Sequence, residues 1–378
     1  MSGTDRDRLA RVALGRLAEP GDPRFAGLVA ELGAVGLLDS LLGQRDLGGI
    51  LADVAGRVEA MGPERELEQA ERLGIRFVIP SDAEWPRPLD DLAGVEPLQN
   101  RCGVPFGLWV KGPLRLDELT DSVAVVGSRS ATSPPYDVAA DLAAVVARAG
   151  HPVVSGAAFG IDQAAHRGAL AAGGHTIAVL ACGVDRAYPM AHKTLLDHLG
   201  AHVAVVSEVA IGCSPTRLRF LARNRLIAAL GRGTVVVEAA VRSGALNTAN
   251  WAGRLNRTVL GVPGPVTSAP SQGVHQLIRT GAATLVTSGA EVLEMVGGAG
   301  EHLVEEPRAR SRPRDRLSWR DQQVLDAVPV STGARADSIA RTAGLGLLEV
   351  RASLTRLQRS GLVVAGEAGW RLAALAHT

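Results

Sequence analysis

Val123-Ala-Val-Val-Gly-Ser-Arg129 is the stretch that decides the fold. Four apolar β-formers end in a glycine, a hydroxyl and an arginine, and an apolar helical pattern follows from Pro134. A buried strand that stops at Gly-Ser and feeds a helix aims free backbone N–H groups, with the helix dipole behind them, at an anion. Arg129 adds a permanent, fork-shaped cation suited to phosphate. An ordinary strand-to-helix turn can look the same over seven residues, so the weight rests on what surrounds them.

Outward from this stretch, between about 121 and 296, short apolar runs alternate with helical patterns. The runs are Val123–Val126, Pro152–Ser155, Ile177–Ala181, Val203–Ser207, Thr234–Glu238, Thr258–Val262 and Ala283–Val286. Helical spacing recurs near 134–149, 162–172, 191–199, 217–230, 246–255, 273–280 and 289–296. Val-rich strands separated by helices predict an α/β fold, a Rossmann-like, doubly wound parallel sheet covered on both faces. Ligands of such sheets sit at the C-terminal strand ends, where Gly127, Ser155, Gly156, Cys182, Gly183, Glu238 and Pro263 fall.

A chain of 378 residues exceeds one ordinary core, so two or three domains are expected. Residues 1–75 read as short helices, with apolar spacing in Asp5–Leu17 and Phe25–Leu42 broken at Glu19–Asp22 and Leu47-Gly48-Gly49. Leu32-Gly33-Ala34-Val35-Gly36 and Leu73-Gly74-Ile75 fit either helix-hairpin-helix turns, whose amides hold a DNA phosphate, or simple helix C-caps. A Pro- and Trp-rich connection, ending in the strand-like Gly107–Lys111, leads into the sheet domain at 76–296. Residues 297–316 turn to Gly, Pro and charge, with five arginines between Arg308 and Arg316, and read as a linker. In 317–378 three helical stretches and a small hairpin give the winged-helix outline, with Arg351, Arg356 and Arg359 on the third helix.

Hydrophobic content of 46% with 21% charge is globular composition. Aromatics are only 3%, so platforms for stacking bases are scarce. The net charge of +1 conceals a bias: Lys111 and Lys193 are the only lysines, and the remaining cations are arginines. Cys102, Cys182 and Cys213 have no metal or disulfide spacing and read as reduced cytoplasmic thiols. No membrane span is expected, because no apolar run approaches spanning length, and no metal or cofactor is expected from the motifs.

Three further turns carry chemistry. Ser155-Gly-Ala-Ala-Phe-Gly-Ile-Asp162 is a second glycine-rich strand end, with Asp162 read as the N-cap of the next helix. Ala181–Pro189 ends a third strand and offers Arg186 and Tyr188, with Lys193 close behind. Ser243-Gly244 opens another helix after Glu238. Arg223-Asn224-Arg225 lies on a helix where residues two apart do not share a face, so one arginine points to ligand and the other to structure. Together these cations and amides at one sheet edge predict a cleft for a polyanion.

The ordered series VVGSR, SGAAFGID with AAHRGAL, GVDRAYP, RNRLIAAL, VVVEA with SGALNTA, VPGPV and GVHQLIRTGA, over roughly 75–296, resembles the DNA-processing protein A (DprA, or Smf) family. The resemblance implies a dimeric, non-enzymatic protein that binds and protects single-stranded DNA and helps load RecA recombinase during natural transformation or recombination. It further implies that the sheet domain is an extended Rossmann-like one, flanked by a SAM-like N-terminal helical domain and a C-terminal winged helix. Its DNA pocket would comprise Gly127, Ser128, Arg129, Ser155, Gly156, Ala158, Gly160, Arg223, Asn224 and Arg225, with Arg186, Lys193, Ser243 and Gly244 alongside. The helix after Gly273 would hold the dimer interface through Val274, His275, Leu277 and Ile278, an apolar ridge that could equally cover the sheet. Two departures stand out: His275 where the family has Asn, and Ala181-Cys182-Gly183 where it has glycine-threonine-glycine.

The competing class is a Rossmann-like hydrolase that cleaves nucleoside monophosphates at the glycosidic bond. Its Pro-Gly-Gly-x-Gly-Thr run is replaced here by Val262-Pro263-Gly264-Pro265, and Glu238 lacks the matching context. A dinucleotide oxidoreductase needs Gly-x-Gly-x-x-Gly after the first strand, where this chain has Gly-Ser-Arg-Ser-Ala-Thr.

Overall fold

The computed structural model describes residues 3–44, 47, 49, 50, 54, 56, 57, 62–131, 133–304 and 313–377. The chain divides into two compact units, Met1–Val304 and Glu305–Thr378. The first opens with helices α1 (Gly3–Leu17), α2 (Pro23–Leu42) and α3 (Pro63–Arg72). Its strands are β1 (Ile75–Val78), β2 (Leu108–Lys111), β3 (Ser122–Val126), β4 (Val153–Ser155), β5 (Thr176–Val179), β6 (Ala204–Ser207), β7 (Gly231–Val236), β8 (Thr258–Gly261) and β9 (Thr284–Leu285). From β3 onward the connections are α4 (Ser133–Arg148), α5 (Ile161–Ala171), α6 (Lys193–His202), α7 (Arg217–Leu230), α8 (Gly244–Arg254) and α9 (Gln272–Arg279). Helix α10 (Gly289–Val296) follows β9.

The sheet order is β1-β2-β6-β5-β4-β3-β7-β8-β9. From β6 to β9 all neighbours are parallel, whereas β1–β2 and β2–β6 are antiparallel. The sheet is thus mostly parallel, and the expectation of a wholly parallel one is corrected at one edge. The cause is local. Gly74, at φ +68°, ends α3 and turns the chain straight into Ile75-Arg-Phe-Val, so Leu73-Gly74-Ile75 is a helix-to-strand turn.

Alternation along the strands divides the core. In β3, Ala124 and Val126 face one apolar cluster and Val123 and Val125 the other, and all four are buried. Each fully buried valine contributes about 1.5–3 kcal/mol. Helices α4, α5 and α10 cover the second cluster, and residues of α7, α8 and α9 cover the first.

The N-terminal helices have an apolar core of their own, built on Leu14, Leu17, Phe25, Leu37 and Leu41. Ion pairs tie them to segments flanking the sheet: Arg8 to Asp82, just after β1, at 2.7 Å and Glu19 to Arg219 of α7 at 2.8 Å. Pro23–Leu42, at mean hydropathy 1.7, has the length and composition of a membrane span, which corrects the expectation that no segment approaches one. Gly33, at φ +71° and ψ 164°, interrupts it, and Arg24, Glu31 and Asp39 lie along it.

The unit Glu305–Thr378 holds α11 (Trp319–Asp326), α12 (Ala336–Ala343) and α13 (Leu347–Arg359), then the hairpin β10 (Val363–Gly366) and β11 (Gly369–Leu372). Val324, Ile339, Val350, Leu354 and Leu357 form its core. Arg356, one of the three arginines noted on α13, pairs with Asp321 at 2.7 Å. Arg308, Arg310 and Arg312 of the linker, and Gly48 of the early break, lie outside the described residues.

Candidate nucleic-acid interface

The chain runs outward from β3 through β4 and β5 to β6, then returns to the other side of β3 with β7. That reversal makes a topological switch point between β3 and β7, where open α/β sheets place their ligands. A cleft of about 820 Å³ lies there. Gly127, Ser128 and Arg129 leave β3 on one side, and Ala240, Arg242, Ser243 and Gly244 follow β7 on the other. Arg217, Phe220, Arg223 and Asn224 of α7 complete the lining, with Gln99, Asn247 and Thr248.

Several arginines of the sheet unit outside the cleft are neutralised by carboxylates. Arg219, Arg225, Arg232 and Arg257 each pair with a carboxylate. Among the described residues, Arg129, Arg217 and Arg242 at the cleft pair with none and are exposed. The Arg129 guanidinium lies 4.9 Å from the Phe220 ring centroid, a cation–π contact that steers it over the opening. Unpaired guanidinium groups on a concave surface create a positive field that attracts an anion.

Beneath them, Arg223 is buried. Its Nη1 donates to the Gly156 carbonyl at 2.7 Å and to that of Val179 at 2.8 Å. Burial lowers its pKa to about 10, with neighbouring Asp162 opposing the shift and Arg129 adding to it, so the group stays charged at neutral pH. Asp162 is also buried, and desolvation pushes its carboxyl above the usual range against the pull of Arg223.

Asp162 is not the N-cap expected of it. Gly160 caps α5, and the Asp162 carboxylate reaches back to accept from the Gly156 and Ala158 amides at 3.2 and 3.3 Å. Those two N–H groups are therefore committed inward and shape the loop. Ser155 likewise donates its hydroxyl to the Val125 carbonyl at 2.7 Å. Two glycines make the loop's path. A Cβ on Gly156 would stand 1.9 Å from Arg223 Nη1, and one on Gly160, at φ +73°, 2.3 Å from the Ser128 carbonyl oxygen. The Ile161 amide donates to that oxygen at 3.1 Å, which links this loop to the Gly127–Arg129 turn.

Of the residues assigned to the pocket from sequence, the cleft brings together Gly127, Ser128, Arg129, Ala158, Arg223, Asn224, Ser243 and Gly244. Ser155, Gly156 and Gly160 stand behind it as loop-shaping residues. Three others lie apart from its lining. Arg225 is buried against Glu208 at 2.7 Å, Arg186 reaches Ser214 at 3.4 Å, and Lys193 pairs with Asp197 one turn along α6. Sequence reading did not assign Gln99, Arg217, Arg242 or Asn247 to the site. Arg217 and Phe220 had a legible signal, since they sit seven and four residues before Asn224 on the same helix. Gln99 had none: it joins through an amide relay, Asn224 Nδ2 to Asn247 Oδ1 at 3.1 Å and Asn247 Nδ2 to Gln99 Oε1 at 3.2 Å.

The ridge assigned to a dimer interface is largely turned inward. Val274 is fully buried, and both it and Ile278 lie against Gly261 of β8. Leu277 is half-buried on the same core, and His275 Nε2 lies 3.0 Å from the Gly264 carbonyl oxygen. Cys102, Cys182 and Cys213 are free thiols. No group of three or more metal-ligating side chains occurs among the described residues.

Residues 76–297 match the family model described as DNA recombination-mediator protein A. A DNA processing protein DprA of Mycobacterium tuberculosis is 44% identical over 363 residues, covering 95% of this chain and 92% of the relative. The protein Smf of Escherichia coli is 34% identical over 305 residues, 78% of this chain and 76% of that one. Among solved structures, the DNA processing protein A of Streptococcus pneumoniae superposes with a TM-score of 0.63 at 32% identity, covering 76% of this chain and 96% of its own.

Proposed function

Because this chain belongs to the DNA recombination-mediator protein A family, we propose that its cleft binds single-stranded DNA and presents it to the RecA recombinase. The observation that carries the reading is the set of carboxylate-free arginines, Arg129, Arg217 and Arg242, converging at the switch-point cleft. Guanidinium groups and backbone turns contact phosphates without reading sequence, so binding is nearly blind to base order. The cleft's own carboxylate, Asp162, holds the loop amides and supports a shaping role rather than acid–base chemistry. The protein acts without a catalytic step, in the cytoplasm, in natural transformation or in recombination. Residues 1–75 act as a SAM-like helical domain and 317–378 as a winged helix.

The working form is a homodimer through the half-exposed edge of α9 at Leu277 and Ile278, which sets two clefts on one assembly. Fluorescence anisotropy with labelled oligo-dT and a duplex of equal length tests the central reading. Tighter binding to the duplex would overturn it. Release of free base from nucleoside monophosphates would overturn the absence of catalysis, and an unshifted sizing-column position for Leu277→Glu would move the interface elsewhere.

A further inference from the structure

Aromatic residues are scarce in the unit Met1–Val304, and among its described residues only Phe159 and Tyr188 are exposed aromatics, each at 46%. Each adjoins a residue of the cleft lining. Phe159 follows the cleft-lining Ala158 at the tip of the β4–α5 loop. Its ring meets that of His192 edge-to-face at 4.7 Å, and His192 Nδ1 lies 2.9 Å from the Ala157 carbonyl oxygen, which fixes the tip in place. Tyr188 packs at 5.7 Å on Phe220, the ring that carries Arg129. Met190, two residues on, is 70% exposed.

The other aromatic rings of this unit are buried or half-buried, so two exposed ones beside a cationic cleft form a patch with a use. Phosphates are held by charge, but the unpaired bases of a single strand also need apolar faces. Aromatic rings supply these without regard to sequence, because every base has a π face. The patch is continuous with the cleft through Phe220 and Ala158, and the exposed Arg186 beside it pairs with no carboxylate among the described residues. A duplex would hide its bases from such rings, whereas a single strand presents them.

We propose that Phe159 and Tyr188 form a base-stacking track along which a single strand leaves the cleft, extending the footprint beyond the phosphate-binding turns. The inference rests on the cleft reading given above, and the experiment separates the two.

The full chain carrying Phe159→Ala and Tyr188→Ala is titrated with labelled oligo-dT of about four and about sixteen nucleotides, which bracket single-strand site sizes. The longer strand loses about tenfold in affinity, or about 1.4 kcal/mol, and the shorter one keeps its own. The slope of log K against log salt stays at the wild-type value, since stacking releases no counterions. Arg129→Ala behaves oppositely, weakening both lengths and lowering the slope by about one. Phe159→Trp retains a ring, binds like wild type, and has its emission quenched by the strand. If the double variant keeps the wild-type melting temperature and long-strand affinity while Arg129→Ala loses binding, the track is wrong and the cleft reading stands. The track is equally wrong if saturating strand leaves the Phe159→Trp emission unchanged. If wild type itself fails to bind oligo-dT, both readings fall.

Discussion

Arg223 and Arg225 sit two residues apart on α7 and meet different surroundings, one beneath the cleft and the other sealed against Glu208 with 1% of its side chain exposed. Removing one partner of a buried ion pair strands the other charge, so Arg225→Ala should cost about 3–5 kcal/mol in denaturant unfolding. Arg129→Ala removes an exposed, unpaired cation. Its melting temperature should hold while oligo-dT affinity drops by about 1.5–3 kcal/mol, the worth of a charge-assisted contact. Unchanged affinity in that variant would sink the phosphate assignment. His166 predicts a pH effect instead. It is buried on α5 with Nδ1 2.7 Å from Thr176 Oγ1, and burial lowers its pKa from 6.5 to about 3. The folded state therefore resists a proton that the unfolded chain accepts. This group's stabilisation is present above pH 6.5 and is lost as pH falls toward 3. Between pH 6.5 and about 5, above the usual carboxylate range, the melting temperature of His166→Gln should fall less steeply than that of wild type, whatever its absolute level.

At the scale of elements, the β4–α5 loop is where the site is most rigidly specified. Gly160→Ala forces a side chain into φ +73° and against the Ser128 carbonyl, a strain of order 1–3 kcal/mol that displaces the Gly127–Arg129 turn as well. Weaker oligo-dT binding with Arg129 still present is expected, and a variant binding at wild-type strength would show that the two turns are independent. The same loop shows why legibility was uneven. The parallel strands were readable because β3 and β7 are buried on both faces and contain continuous valine runs. The antiparallel edge was obscured because Ile75-Arg-Phe-Val is interrupted by a charge and has no valine run. Within the site, Gly127-Ser128-Arg129 was legible because strand, turn and cation are contiguous. Asp162 was misassigned because its position after Gly160 resembles a cap, whereas its carboxylate bonds backward to the loop amides. Gln99 and Asn247 are 148 residues apart, and only the folded chain brings them together.

For the whole molecule, the division into Met1–Val304 and Glu305–Thr378 predicts how the chain tolerates truncation at each end. Every residue lining the cleft lies between Gln99 and Thr248, inside the first unit. That unit also has its own apolar cores on both faces of the sheet and around α1 and α2. A chain ending after Val304 should therefore fold and bind oligo-dT with the affinity and salt slope of the full chain. Trimming the other end is different. The first 75 residues supply Arg8 for Asp82 and Glu19 for Arg219, while Arg16 donates to the Ile211 carbonyl at 2.8 Å. Their removal would leave these groups without partners and expose the part of the sheet's first cluster that Val12 and Ala70 cover. Such a chain should melt well below the full-length protein even though its cleft residues are intact. If instead the chain ending after Val304 loses most of its affinity, the second unit shares in holding the strand, and the cleft alone does not account for binding.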